Sequence, residues 1–431
     1  MYFSYPFIQE HLSVLYDGTE LSRQAERTAA ALHRFSELYD PSEKKKVCVF
    51  SVPGRSELSG NHTDHNRGCV LAATISQDML AVVSPRDDNQ IRFTSEGIGE
   101  ICTNVEKSAP DPAQFGTSLA LIRGICTQFL EHGIVLSGFD AYLTSEVLPG
   151  SGLSSSAAFE VMVGSILNSL FASDSFSEIE IARMAQRAEN VFFGKPCGLL
   201  DQTACSMGGI VFMDFQDPAN PVTERIPFRL TDRGYALCIT NTGGSHANLT
   251  QDYAAIPAEM KSVAGALGKE FLREVAPADF FAALPKLIRT LPPRAVLRAF
   301  HFFAENERVL RQKDALDRGD LVAFLDLVRR SGQSSFCYLQ NVFSSAHPEE
   351  QNLSVALALS EHILEGCHEP SACRVHGGGF AGTIQAFVPC SFATTYQNEM
   401  DRVFGSGSCK ILNVREQGAV RLIDGESACS P

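Results

Sequence analysis

Apolar residues follow two rhythms along this chain, the helical spacing of three and four and the strand spacing of two. Residues 8–40 carry the helical spacing, and Lys44-Lys45-Lys46 then makes a solvated turn before the apolar run Val47-Cys48-Val49-Phe50. Strand patterns follow at 69–75, 79–84 and 91–94. A helix is predicted over 117–132, and 139–145 alternates as a half-buried strand does. The run Leu148-Pro149-Gly150-Ser151-Gly152-Leu153-Ser154-Ser155-Ser156-Ala157-Ala158 opens a further helix, whose apolar face is Phe159, Val163, Ile166, Leu167 and Leu170. A β-rich segment at 209–215 closes the first half. Residues 255–345 are predicted to be mainly helical, and strands return at 373–376 and 383–388 on either side of Gly377-Gly378-Gly379.

Strands and helices mixed in runs, without regular alternation, predict an α+β protein of two domains. The polar stretch around Pro218, Asn220 and Pro221 puts their boundary between 210 and 235, giving domains of 1–215 and 216–431. A chain of 431 residues suffices for two full cores. Its net charge of −14 argues against a nucleic-acid partner, although a nucleotide can still be held by backbone amides and a few placed cations. Thirteen cysteines, an odd number with no paired zinc spacing, predict reduced thiols in a cytoplasmic protein. The first residues lack the basic start of a signal peptide, and no apolar run reaches the length of a membrane span. Neither a membrane nor an obligatory protein partner is expected.

Four segments carry candidate chemistry. In Val52-Pro53-Gly54-Arg55-Ser56-Glu57-Leu58-Ser59-Gly60-Asn61-His62-Thr63-Asp64-His65-Asn66-Arg67-Gly68, charged, amide and imidazole groups crowd between glycines directly after a strand. So polar a segment is expected to be a loop outside the core that grips a small polar ligand. Residues 148–158 set a small-residue loop between a strand and a helix N-terminus, the geometry that cradles phosphate; a serine-rich helix start is the plainer reading. The chain has no Gly-x-x-x-x-Gly-Lys-Ser/Thr loop, nor the His-Arg-Asp and Asp-Phe-Gly of protein kinases. Cys197-Gly198-Leu199-Leu200-Asp201-Gln202, preceded by Gln186-Arg187-Ala188-Glu189, offers two carboxylates that could equally be surface acids. His376-Gly377-Gly378-Gly379-Phe380-Ala381-Gly382 is, by itself, a glycine turn between strands.

Taken in order, these segments resemble the galactokinases, within the GHMP small-molecule kinases. That family opens with Pro-Gly-Arg-x-Asn-x-Ile-Gly-Glu-His-Thr-Asp-Tyr-Asn-x-Gly, has Pro-x-Gly-x-Gly-Leu-x-Ser-Ser-Ala as its nucleotide loop, and ends with Thr/Ser-Gly-Gly-Gly-Phe-Gly-Gly. Here Glu57, Ser59, Asn61 and His65 depart from the first pattern, the proline of the second sits one place late, and Ala381 replaces a glycine of the third. The resemblance implies the two-domain GHMP fold, with an N-terminal ribosomal-S5-like β/α domain and a C-terminal α/β sandwich domain. It implies an ATP- and Mg2+-dependent sugar 1-kinase, with a small-molecule sugar and ATP as partners.

Carried over residue by residue, Arg55 and Asp201 carry the transfer, and Ser156 and Glu189 hold magnesium. Gly150, Ser151, Gly152, Leu153, Ser154, Ser155 and Ser156 hold the triphosphate. Asn61, His62, Asp64, Gly198 and Tyr253 hold the sugar. The family has a basic residue eight positions before this tyrosine, where the chain has Ser245 beside His246. Asp201→Ala is expected to abolish turnover and leave folding intact.

Substrate is where the departures count. The family's glutamate at position 61 meets the sugar's 6-hydroxyl, and Asn61 brings no charge there. The resemblance leads to galactose as the expected substrate, and the missing charge at Asn61 opens galacturonate, or another galacto-configured sugar, as the alternative, since His65 or Arg67 could favour a carboxylate at carbon 6. Two readings of other classes are a metallo-hydrolase centred on His62-Thr63-Asp64-His65, and a sugar sensor without catalysis. The first lacks a further upstream histidine, and the second should have lost one of Arg55, Ser156, Glu189 or Asp201.

Overall fold

The computed structural model describes residues 2–16, 18–96, 99–147, 152–243 and 249–425. Their strands form two sheets. The larger contains β1 (Cys48–Ser59), β2 (Cys69–Pro85), β3 (Gln90–Ser95), β4 (Gly99–Asn104), β5 (Phe139–Ser145), β6 (Ile210–Asp214) and β7 (Val222–Ile226). The smaller holds β8 (Tyr235–Asn241), β9 (Ala372–Val375), β10 (Thr383–Pro389) and β11 (Cys409–Leu412), all antiparallel in the order β11-β8-β10-β9. The last strand, β12 (Val420–Ile423), returns to the larger sheet and pairs with β1, giving the order β12-β1-β2-β5-β3-β4. Helices and strands occur in runs, as an α+β fold requires.

The separate strands expected at 69–75 and 79–84 are one strand, β2. Its first half pairs with β6 and its second with β5, and both halves lie along β1. The polar break between them is hidden because Asp78, which is fully buried, is paired. It accepts from Tyr16 (2.6 Å), Arg27 (2.6 Å), Arg415 (3.2 Å) and Ser51.

The sheets do not follow a division at 215/216. Residues around Pro218 and Asn220 form the turn of the β6–β7 hairpin, closed by Asp217 Oδ1 accepting from the Ala219 amide at 3.0 Å. Turn chemistry and linker chemistry use the same residue types, so the polar stretch alone did not separate them.

One face of β1 and β2 packs against helices Tyr5–Leu12 and Gly18–Tyr39 through Val49, Leu80 and Val82. The other face, with Phe50, Val52 and Leu71, joins helices Ser118–Glu131 and Ser155–Phe171 in a core that continues to Leu237 and Phe387 of the smaller sheet. Helix Pro293–Asp317 lies against β2 and carries a buried polar stripe, Arg298, His301, Glu305 and Gln312. That stripe supports the site.

Candidate active site

The polar segment expected to be an exposed loop is the second half of β1 and a buried turn. Ser56, Ser59, Asn61, Thr63 and Asn66 are fully buried, because distant parts of the chain supply partners for Ser56, Ser59, Asn61 and Asn66, and the Gly60 and Cys69 carbonyls accept from Thr63. Ser59 Oγ and the Gly60 amide donate to Glu305 Oε1 at 3.0 and 3.2 Å. The Asn61 carbonyl accepts from His301 Nε2 at 3.0 Å. Gly60 (φ +95°) lets β1 turn where a Cβ would meet the Cys69 carbonyl oxygen and Val70 Cα at 2.7 Å.

Arg55 leaves β1 toward the N-terminal end of helix Leu200–Met207, which carries Asp201. The pair is bidentate, with Nε to Oδ1 and the second nitrogen to Oδ2 both at 2.7 Å. Arg55 Nη1 also donates to the Gly152 carbonyl at 2.7 Å, and the Arg55 amide to the Leu153 carbonyl at 3.1 Å. Ser154 Oγ donates to Asp201 Oδ2 at 2.5 Å. Burial alone would raise the Asp201 carboxyl, but Arg55 outweighs it and holds the group below its usual range, so it is ionised at neutral pH.

The expected phosphate loop lies beside this pair. Gly150 and Ser151 fall outside the described residues; so do Ser245 and His246. Leu153 is buried in the core and anchors the loop by packing, so its backbone rather than its side chain faces the site. Ser154 takes the left-handed conformation (φ +59°) before helix Ser155–Phe171, whose first-turn amides include those of Ser155 and Ser156.

Behind the loop, Ser156 Oγ donates to Glu189 Oε1 at 3.3 Å, and Lys195 Nζ reaches the same oxygen at 2.9 Å. Gln202 Nε2 bridges Glu189 Oε2 (2.8 Å) and Glu160 Oε2 (3.0 Å). Burial, and then the Glu189 charge, push the Glu160 carboxyl well above its usual range.

The glycine turn between β9 and β10 forms the opposite wall. Its carbonyls accept from Asn61 Nδ2 (Gly377, 2.6 Å), His62 Nε2 (Gly378, 2.8 Å) and the Tyr253 hydroxyl (Gly379, 2.8 Å). A Cβ on Gly378 would meet the Tyr253 ring at 2.6 Å, which explains the glycine. Burial pushes His62 down to about 4, so it is neutral and gives Nε2–H to the carbonyl. Its Nδ1 keeps a lone pair, but among the described residues no group of three or more His, Cys, Asp or Glu side chains could hold a metal ion, so nothing there supports the metallo-hydrolase reading. Asp64 packs on Gly198, where a Cβ would lie 2.4 Å from its Oδ2.

The structure therefore brings Arg55, Asp201, Gly152, Ser154, Ser156 and Glu189 to one side, and His62, Asp64, Gly198 and Tyr253 to the other. Asn61 joins the second group with every hydrogen-bonding position of its amide engaged by protein: Nδ2 gives to Glu57 (2.8 Å) and Gly377, and Oδ1 takes from Asn341 (2.6 Å) and Ser335 (3.3 Å). Sequence reasoning missed Glu160, Lys195, Gln202, Glu305 and Asn341. Only Gln202, next to Asp201, had a local signal.

Residues 33–85 match the galactokinase galactose-binding signature, and residues 120–209 the GHMP kinases N-terminal domain. Galactokinase of Streptomyces coelicolor is 33% identical over 397 residues, covering 90% of this chain and 97% of the relative. Human galactokinase is 31% identical over 408 residues, covering 92% and 96%. The solved structure of Lactococcus lactis galactokinase complexed with galactose superposes with a TM-score of 0.76 at 23% identity, over 91% of this chain and 99% of that one. Mevalonate kinase of Methanococcus jannaschii shares the fold more distantly, with a TM-score of 0.59 at 13% identity over 86% and 98%. Both sequence signatures fall on the segments that build the Arg55–Asp201 site, and the similarity runs nearly end to end: the chain belongs to the galactokinase family.

Proposed function

We propose that the protein transfers the γ-phosphoryl group of ATP to the anomeric hydroxyl of galactose, giving galactose 1-phosphate and ADP. The observation that carries this reading is the bidentate Arg55–Asp201 pair, set between the phosphate loop and the wall of His62, Asp64, Gly198 and Tyr253. Phosphoryl transfer asks a protein mainly to position two reactants, offset phosphate charge and manage one proton. Asp201, ionised, accepts the hydrogen of the sugar hydroxyl as its oxygen bonds to phosphorus and the bond to ADP breaks. Arg55 fixes the carboxylate's orientation and offers positive charge beside the transferring group. Asp64, His62 and Tyr253 hold the ring hydroxyls.

Magnesium is part of the proposal. The donors present are hard oxygens, Ser156 Oγ and Glu189 Oε1, which lie together beside the first turn of helix Ser155–Phe171. Ser156 and Glu189 would hold the ion with ATP, and when bound it offsets phosphate charge. A reducing cytoplasm suits the cysteines, twelve of which are free among the described residues. No helix among those residues is long and apolar enough to cross a membrane.

Galacturonate is less well supported. Asn61 itself is neutral, yet the Glu57 carboxyl, raised by burial and opposed in this by Arg374, lies 2.8 Å from it and keeps an acidic side chain on that wall. Arg67, a candidate partner for a uronate, is engaged by Glu274 (3.2 Å) and lies over the Phe271 ring (3.9 Å).

The test is the position of phosphorylation. Galactose with ATP and magnesium should yield a sugar 1-phosphate by phosphorus NMR, and methyl galactoside, blocked at carbon 1, should release no ADP above background. Equal turnover of the methyl glycoside would overturn the reading. Gly198→Ala should raise the galactose KM about tenfold or more, because its Cβ displaces the Asp64 carboxylate. Steady-state kinetics check this, and an unchanged KM would remove Asp64 from the sugar site.

A further inference from the structure

We propose that Glu57 is a sugar-binding residue, its carboxylate accepting a hydrogen bond from a substrate hydroxyl, with Asn61 as the residue that positions it. This rests on the sugar-kinase reading above.

The backbone directs Glu57 to the site. The register of β1 against β2 is unbroken from Arg55 to Glu57 (Arg55↔Thr74, Ser56↔Ala73, Glu57↔Ala72), so those two residues share a face. Ser56, between them, points the other way, to His376 (3.0 Å) and Gln385 (3.3 Å). Glu57 thus stands beside Arg55, and within electrostatic reach of Asp64; burial raises its carboxyl, against the lowering by Arg374 and by the Asn61 hydrogen bond.

Hydrogen-bond capacity then separates Glu57 from Asn61. The amide of Asn61 has two donor and two acceptor positions, and all four are engaged by protein, so a sugar hydroxyl would have to displace one. Glu57 is different. Its Oε1 takes Asn61 Nδ2 at 2.8 Å and lies 3.5 Å from Arg374 Nη2, while Oε2 accepts from no described residue and the side chain is 12% exposed. A carboxylate with one oxygen clamped and the other open is a ready acceptor for a hydroxyl. The residue types also fit: the family pattern has asparagine at 57 and glutamate at 61, and here the two are exchanged. The wall keeps one acid, delivered from four residues earlier.

The experiment is a cycle of variants against deoxy sugars. Wild type and Glu57→Gln are assayed with galactose and its 2-, 3-, 4- and 6-deoxy analogues, with thermal melting of each protein measured alongside. Glu57→Gln should raise the galactose KM about tenfold or more and change kcat less than threefold. For one deoxy sugar the loss caused by Glu57→Gln should vanish, identifying the hydroxyl. The paired exchange Glu57→Asn with Asn61→Glu should recover most of the galactose KM that Glu57→Asn alone loses. A role confined to pairing Arg374 would lower the melting temperature and leave the five KM ratios unchanged, which would overturn the proposal. Should Glu57→Gln fail to fold, Glu57→Asp, which keeps the charge and withdraws it by one methylene, must still alter the galactose KM selectively. Wild type that turns over none of these sugars would instead sink the sugar-kinase reading itself.

Discussion

Asp201→Asn is expected to lower kcat by about a thousandfold, the usual size for removing a positioned general base. The substitution keeps a planar group that can still accept from Ser154 and Arg55, but it no longer takes the proton or matches the guanidinium's charge. Steady-state ADP release measures the effect, and kcat within tenfold of wild type would remove Asp201 from the transfer step. Asp201→Ala should lose activity too, and it will not be neutral for folding. Arg55 is 9% exposed and has Asp201 as its paired carboxylate, so the deletion leaves a buried guanidinium held by the Gly152 carbonyl. The Asp201 side chain is 36% exposed, so water screens the pair and the loss is about 1–2 kcal/mol, below that of a fully buried pair. Treating Asp201 as an isolated pocket carboxylate overlooked this cost, and thermal melting will separate the two variants.

Glu305→Ala is expected to destabilise the protein by roughly 3–5 kcal/mol. The carboxylate is fully buried and accepts from Ser59, the Gly60 amide, Ser331 and Arg308, so one side chain joins helix Pro293–Asp317 to the turn after β1. Burial alone would raise its carboxyl, but Arg308, followed by His301 and Arg374, lowers it to about 2 from the ordinary 4.5. A carboxylate whose folded value is depressed stabilises the protein above its unfolded value, and that contribution is lost as pH falls toward the folded one. Stability at pH 6 should therefore decline between about pH 5 and 2, and Glu305→Gln should flatten this acid limb. Denaturant titrations at several pH values give the comparison. An identical acid limb in the variant would mean that other carboxylates set it.

How much of this was legible in the chain depends on the range of the interactions involved. Residues 139–145 alternate cleanly and form β5 over those same residues, and the strands expected at 373–376 and 383–388 match β9 and β10 within a residue. These elements follow from local pattern. The return of β12 to β1 has no local signal, because Val49 to Ser51 pair with Val420 to Ile423 from the far end of the chain. The same limit governs the site. The glycines and small residues of the loop before Ser155 suggest a phosphate cradle from local pattern, beside the plainer reading of a serine-rich helix start. Nothing near Asn61 shows that Asn341 and Ser335, from the other half of the chain, will occupy its carbonyl oxygen. Polarity in 52–68 suggests exposure, whereas Ser59, the Gly60 amide and the Asn61 carbonyl are met by Glu305 and His301 of a helix whose inward face the sequence does not assign, and Ser56 by His376 and Gln385.

The most direct test of the account is ADP release, with ATP and magnesium, across galactose, galacturonate, N-acetylgalactosamine, arabinose and glucose. With Asp201 ionised beside Arg55 and the Glu57 carboxylate on the sugar wall, galactose should give the highest kcat/KM and galacturonate little turnover. A preference for galacturonate would contradict the acidic side chain assigned to that wall. Sugar binding without ADP release for any of the five would contradict the kinase reading and leave a sensor in its place.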